Sequence, residues 1–205
     1  MILDEYHRLI DEVDAEVGPL FRHYRNHLQC RKGCFFCCSE IEVLPVEHFA
    51  LRRWLASHGR DGAQDPPPRS RESRDQTASG ILAGSGSEAG CPLLSTAGSC
   101  SVYPGRPMIC RVHGLPLAYQ LYEYDRKGRL VNEEERMDLW CDLNFADLPE
   151  KEAPKLFDAE GRVDMVKLNG RLGEINEHFL SSEEGRAYDG MDRVSLRDLT
   201  HAEQF

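Results

Sequence analysis

Eight cysteines set the chemistry open to this 205-residue chain. Four of them fall within nine residues, in the run C-R-K-G-C-F-F-C-C from Cys30 to Cys38, and Cys91, Cys100, Cys110 and Cys141 follow. Thiolate is the protein ligand suited to zinc, copper(I) and iron–sulfur clusters. A looping backbone can aim Cys30, Cys34 and Cys37 at one point. Cys38 breaks the pattern, because adjacent side chains diverge in strands and helices alike. One small tetrahedral ion rarely takes both members of such a pair, whereas a cluster, a second metal or a thiol left free for chemistry accounts for it. The plain alternative is a set of structural cysteines packed as small hydrophobes. Packing alone does not call for this spacing.

The second block runs C-P-L-L from Cys91 and C-S-V-Y-P-G-R-P-M-I-C-R from Cys100 to Arg111. Turn formers at Gly98, Pro104-Gly105 and Pro107 fold it back on itself, and tight turns bring backbone N–H groups near sulfur, where they stabilise thiolate charge. The candidate metal ligands are therefore Cys30, Cys34, Cys37, Cys38, Cys91, Cys100 and Cys110. Cys34, Cys37, Cys100 and Cys110 are the strongest of these, and Cys141 is weaker. Arg106 and Arg111 flank Cys110 and are candidates for balancing thiolate or cluster charge, or for holding an anion. A surface ion pair, or a cation stacked on Tyr103, is the competing role for either arginine. His113, three residues after Cys110, could replace a thiolate, against the commoner role of a hydrogen-bonded histidine. No Ser-His-Asp or His-Glu-x-x-His arrangement is visible, so no catalytic residue is assigned.

The elements that must position these residues are mostly helical. Leu3, Tyr6, Ile10, Val13, Val17, Leu20 and Tyr24 recur in steps of three and four, which predicts a helix over 2–28, and Gly18-Pro19 predicts a kink or break within it. Residues 41–44 read as extended. Pro45 suits the first turn of a second helix, and Gly59 its stop. Residues 60–90 are rich in Gly, Pro, Ser, Asp and Arg and read as a flexible inserted linker. Residues 117–124 are strand-like, 125–128 a turn and 129–132 a partner strand completing a hairpin. Residues 133–139 read as helical. Asp164 is a good N-cap for a helix over 164–180, and the tail from Ser195 offers one more short helix. The expected fold is mainly α with a small β-hairpin: a single compact, cysteine-rich metal-binding domain over 1–205 with irregular loops.

Charge and hydropathy narrow the class of function. A net charge of −10 argues against general nucleic-acid binding and against an acidic membrane surface, both of which call for a basic face. No apolar run reaches the length of a membrane span, and the acidic amino terminus does not resemble a signal peptide. A cytoplasmic protein with reduced thiols is the expectation, and no partner or oligomeric state can be read.

The motifs resemble a family. C-R-K-G-C-F-F-C-C at 30–38, I-E-V-L-P-V-E at 41–47, C-P-L-L at 91–94 and the block at 100–111 resemble, in the same order, the YkgJ-type cysteine-cluster proteins, a zinc- or iron-chelating family. The resemblance covers about residues 25–115. One departure is the spacing of the first two cysteines, three residues here where the family's short form has two. Enzymes related to that family, flagellin lysine N-methylases, imply an iron–sulfur site. Methyl transfer is not supported here, because the chain lacks a G-x-G-x-x-G loop after a strand. Three functions are carried forward. The first is an iron–sulfur or iron protein with a redox, sensing or modification-related role. The second is a structural zinc protein whose eight thiols make two four-cysteine sites and whose helices serve as an interaction module. The third is a metal-free thiol oxidoreductase, which lacks the βαβ setting of a thioredoxin-like fold.

Overall fold

A computed structural model describes residues 2–31, 34–38, 41–59, 90–95, 98–124, 130–149, 151–157 and 160–200, of which 121–124, 130–137 and 200 by backbone alone. The expected linker at 60–90 lies outside the described residues except for Gly90, and so does the expected turn at 125–128. The protein is mainly helical with a small β component.

The first helix, α1 (Ile2–His23), buries Tyr6, Leu9, Ile10, Val13, Val17 and Leu20 along one stripe. Of the kink or break expected at Gly18-Pro19, the break does not occur: α1 is one helix that runs through Pro19. An interior proline costs about 3 kcal/mol. Val17 and Leu20, on either side of it, are both buried, and full burial of such side chains contributes about 1.5–3 kcal/mol each. Core packing therefore outweighs the lost bond. Beyond His23 the chain leaves the helix through a turn in which the His27 N–H donates to the Tyr24 carbonyl at 2.8 Å.

Strand β1 (Glu42–Val43) leads into α2 (Pro45–His58), which opens on proline and ends against Gly59 at φ 70°, as expected. The second block carries a short helix not foreseen from its turn formers, α3 (Met108–Val112). Strands β2 (Leu117–Tyr124) and β3 (Leu130–Leu139) form the antiparallel hairpin, with Leu117 opposite Leu139. Residues 133–139, expected to be helical, are thus strand. Their Glu-rich composition favours helix locally, but pairing along β2 satisfies the backbone and overrides that weak preference. Strand β4 (Val163–Asp164) adds in parallel on the other side of β2. Helix α4 (Met165–Leu180) starts at Asp164, whose carboxylate accepts the Lys167 N–H at 3.1 Å. Strand β5 (Val194–Ser195) pairs antiparallel with β1, and the tail ends in a 3₁₀ turn, Leu196–Thr200.

The main core gathers α1, α2, α3, α4 and β2 around Leu9, Val13, Val112, Leu117, Leu168 and Phe179. Asn176 on α4 accepts the Val46 N–H, which fixes the start of α2 against that helix. A smaller cluster of Val43, Leu51, Leu93, Val102, Leu196 and Leu199 lies under the second cysteine block, and Cys91 and Cys100 pack against it. No helix among the described residues is long and apolar enough to cross a membrane.

Candidate metal centre

All eight cysteines are free thiols. Each comes from a turn or a short element, and each turn is held by a small number of bonds. In the first block the Cys34 N–H donates to the Arg31 carbonyl and the Cys38 N–H to the Phe35 carbonyl, both at 2.9 Å. In the second block Leu94 bridges Cys100, and the Ser101 N–H donates to the Leu93 carbonyl. The two blocks are stitched directly, because the Cys91 N–H donates to the Cys38 carbonyl at 3.1 Å.

Cys110 sits on α3, and two side chains, Glu47 and Arg111, fix that helix. Glu47, buried to 3% exposure, accepts the Met108 N–H at 2.9 Å and the Leu44 N–H at 3.3 Å. One carboxylate thereby ties the start of α2 to the start of α3, and burial raises its pKa against the pull of those two donors. Arg111 reaches back from α3 to Asp14 on α1 at 2.5 Å and donates to the carbonyls of Pro104 and Arg106. Its guanidinium is committed to those three partners. Arg106 behaves differently. It lies 3.6 Å over the Tyr103 ring, donates to the Tyr103 and Cys110 carbonyls, and its charge favours the thiolate of Cys100.

Cys141 joins the array, although it lies outside the two blocks. The link is Asn144. Its backbone N–H donates to the Cys141 carbonyl at 2.8 Å, its Oδ1 accepts the Gln29 N–H at 2.7 Å, and its Nδ2 donates to the Gly114 carbonyl at 2.7 Å and to Cys30 Sγ at 3.4 Å. Gly114, at φ 98°, is needed on two counts. The backbone is left-handed there, and a Cβ would come within 2.6 Å of Cys30 Sγ. Cys30 is exposed as a residue, yet its sulfur is tucked against Asn144 and Gly114.

Five thiols, those of Cys30, Cys37, Cys100, Cys110 and Cys141, hold their protons above the usual cysteine range. Burial raises Cys110, and Cys91, Glu47, Cys100 and Cys37 add to it. Contact with the Cys38 thiol, together with burial, pushes Cys37 up to about 12 against the opposing pull of the His113 imidazole. Burial pushes Cys141 up to about 11, and the neighbouring sulfurs of Cys30, Cys37 and Cys34 reinforce it. Burial also raises Cys30 and Cys100. Crowded sulfurs that resist becoming anions together are a donor set that a cation relieves, since metal binding takes thiols as thiolates. Among the described residues no three Cys, His, Asp or Glu side chains are grouped so as to hold a metal ion. The sulfurs of Cys30, Cys34 and Cys37 are within reach of the charge of Cys141, and those of Cys91, Cys100 and Cys37 within reach of that of Cys110. The donor chemistry fits a thiophilic metal.

Residues 29–142, more than half of the chain, match the model of the CxxCxxCC family, described as a putative zinc- or iron-chelating domain. The chain belongs to that family. The match runs past the expected end near residue 115 and takes in Cys141, the residue that the structure brings beside Cys30. No curated protein and no solved structure matches the chain.

Sequence reasoning missed Glu47, Asn144 and Gly114. For Glu47 a signal existed: an acid three residues after Leu44, just inside a proline-led helix, is a capping pattern. Asn144 and Gly114 act through long-range contacts that leave no periodic trace.

Proposed function

We propose that this protein holds iron, as an iron–sulfur cluster or as thiolate-bound iron, through its cysteine blocks and Cys141, in a redox or sensing role. The observation that carries the reading is the position of Cys37. It is within electrostatic reach of Cys30 and Cys141 on one side and of Cys110 on the other, so the thiols form one continuous array. Such an array offers more sulfur than a single tetrahedral ion takes. Iron bound there would supply a one-electron couple. The chain's own groups supply the setting: Arg106 offsets negative charge beside Cys100, His113 offers a hydrogen bond to Cys37, and turn N–H groups face Cys100 and Cys141. A second reading, structural zinc, is favoured by one specific feature: three thiols, those of Cys30, Cys34 and Cys37, lie near Cys141, which makes a set of four. Anaerobic purification followed by iron, zinc and acid-labile sulfide analysis tests both. Iron with sulfide and a visible absorption that bleaches on reduction supports the proposal. A colourless protein with stoichiometric zinc overturns it in favour of the second reading.

A further inference from the structure

Positive charge and exposed apolar surface fall on the same parts of this chain. Residues 17–39 and 89–122, which hold seven of the eight cysteines, contain no Asp or Glu and carry six Arg or Lys. The whole chain has a net charge of −10, so the remainder bears −16. One of the six cations, Arg111, is taken by Asp14. Arg25 and Arg31 are exposed and Arg106 is half-buried, and among the described residues none of these three makes an ion pair.

Among the described residues five large apolar side chains are exposed, and three of them stand within the cysteine blocks: Phe35 at 38%, Phe36 at 39% and Tyr103 at 61%. A single exposed hydrophobe is ordinary on any surface. Here the exposed rings accompany the unpaired guanidinium groups. Arg106 lies 3.6 Å over the Tyr103 ring, and Arg31 adjoins Cys30 in the chain. The Cys91 N–H meets the Cys38 carbonyl at 3.1 Å, so the segment carrying Arg31, Phe35 and Phe36 and the block carrying Tyr103 and Arg106 join at one place.

We infer that this junction is a docking surface for an acidic segment of a partner protein, one in which Asp and Glu are interspersed with apolar anchors. Aromatic rings and arginine are the residues enriched at protein interfaces. Charge complementarity names the partner, because unpaired cations over exposed rings on an otherwise acidic molecule steer an acidic, apolar-anchored segment to this end. A nucleic acid fits less well. Its phosphates would continue past the patch onto a remainder of charge −16, whereas a short acidic segment ends within it. The inference goes beyond the metal reading and does not depend on which metal the thiols take.

The test titrates the full chain, purified anaerobically with its metal, against a short labelled peptide in which Asp and Glu are interspersed with Leu and Phe, and reads binding by fluorescence anisotropy. Saturable binding that weakens as salt rises is expected. Asn and Gln in place of the peptide's acids should weaken it about tenfold, and so should Arg25→Glu combined with Arg31→Glu in the protein. Phe35→Ser combined with Phe36→Ser, at exposed positions that folding tolerates, should weaken it about as much. Arg186→Glu, which changes net charge outside both blocks, should leave affinity within about twofold. The metal content of each variant, measured alongside, tells loss of the metal site from loss of docking. A peptide that binds equally well with Asn and Gln, or that does not bind at all, overturns the inference. So does a single-stranded oligonucleotide that binds more tightly than the peptide, which would make the occupant a nucleic acid. A dimer of the chain alone that Arg25→Glu with Arg31→Glu dissolves would overturn it in favour of a second copy.

Discussion

The two cysteine-bearing regions solve the same problem with different materials. The segment from Cys91 to Cys110 lies on hydrophobic cluster and helix, with Leu93 and Val102 buried beneath it and Met108 and Val112 anchoring α3 in the main core. Among the described residues of the segment from Cys30 to Cys38 no side chain is fully buried. Phe35 and Phe36 face solvent, and the contacts that tie it to the rest of the molecule include Asn144, Gly114, His113 and the Cys91 N–H. A thiol array can thus be placed either by packing or by a few hydrogen bonds. The first way resists loss of the metal and the second permits motion, because local stability follows buried apolar contact.

Metal removal should separate the regions most sharply. Binding energy at a four-thiolate site is folding energy, on the order of 10 kcal/mol, yet the second region keeps its apolar floor. On stripping with a chelator, amide exchange should rise furthest over 29–38 and less over 91–112, with α1 and α4 little changed. Equal loss of protection in both segments would erase the contrast. Acid acts in the same direction. Cys37 and Cys141, pushed up to about 12 and about 11, carry their protons at neutral pH and must release them to bind metal, so affinity should fall as pH falls. A metal affinity flat between pH 6 and pH 8 would contradict thiol ligation.

Glu47→Leu comes next. It leaves the N–H groups of Met108 and Leu44 without their acceptor, at about 1–3 kcal/mol each, and should destabilise the second region in urea melts while Cys30 stays protected from alkylation. Gly114→Ala should work the other way round. Its left-handed backbone costs about 1–3 kcal/mol for an alanine, and the new methyl displaces Cys30, so alkylation of Cys30 should accelerate while Cys100 and Cys110 are unaffected. Asn144→Ala should give a milder version, about 1–2 kcal/mol, with the same selective exposure of Cys30. Smallest of all is Arg171→Ala. Its ion pair with Glu12 is solvent-exposed, and such pairs contribute little. Neither melting nor metal content should move measurably.

These contrasts track how legible each part was in the sequence. Helices α2 and α4 were readable because their ends carry local chemistry: Pro45 and Gly59 for one, Asp164 for the other. The stripe of α1 was readable by period, but the choice between one helix and two at Pro19 was not, since that depends on what Val17 and Leu20 bury against. Residues 133–139 were misread for the same reason, a tertiary partner that composition does not reveal. Within the site, residue type and spacing exposed the two blocks. The arrival of Cys141 depends on Asn144 meeting Gln29 and Gly114, contacts spanning 115 and 30 residues of sequence, and nothing local announces them.

The central claim is that sulfur from these segments, and no other donor, surrounds a metal. X-ray absorption at the metal edge of the anaerobically purified protein tests it most directly. The account predicts a first shell of sulfur alone, at about 2.3 Å if the ion is zinc, and a further metal neighbour if the iron is in a cluster. A first shell of nitrogen and oxygen would contradict it.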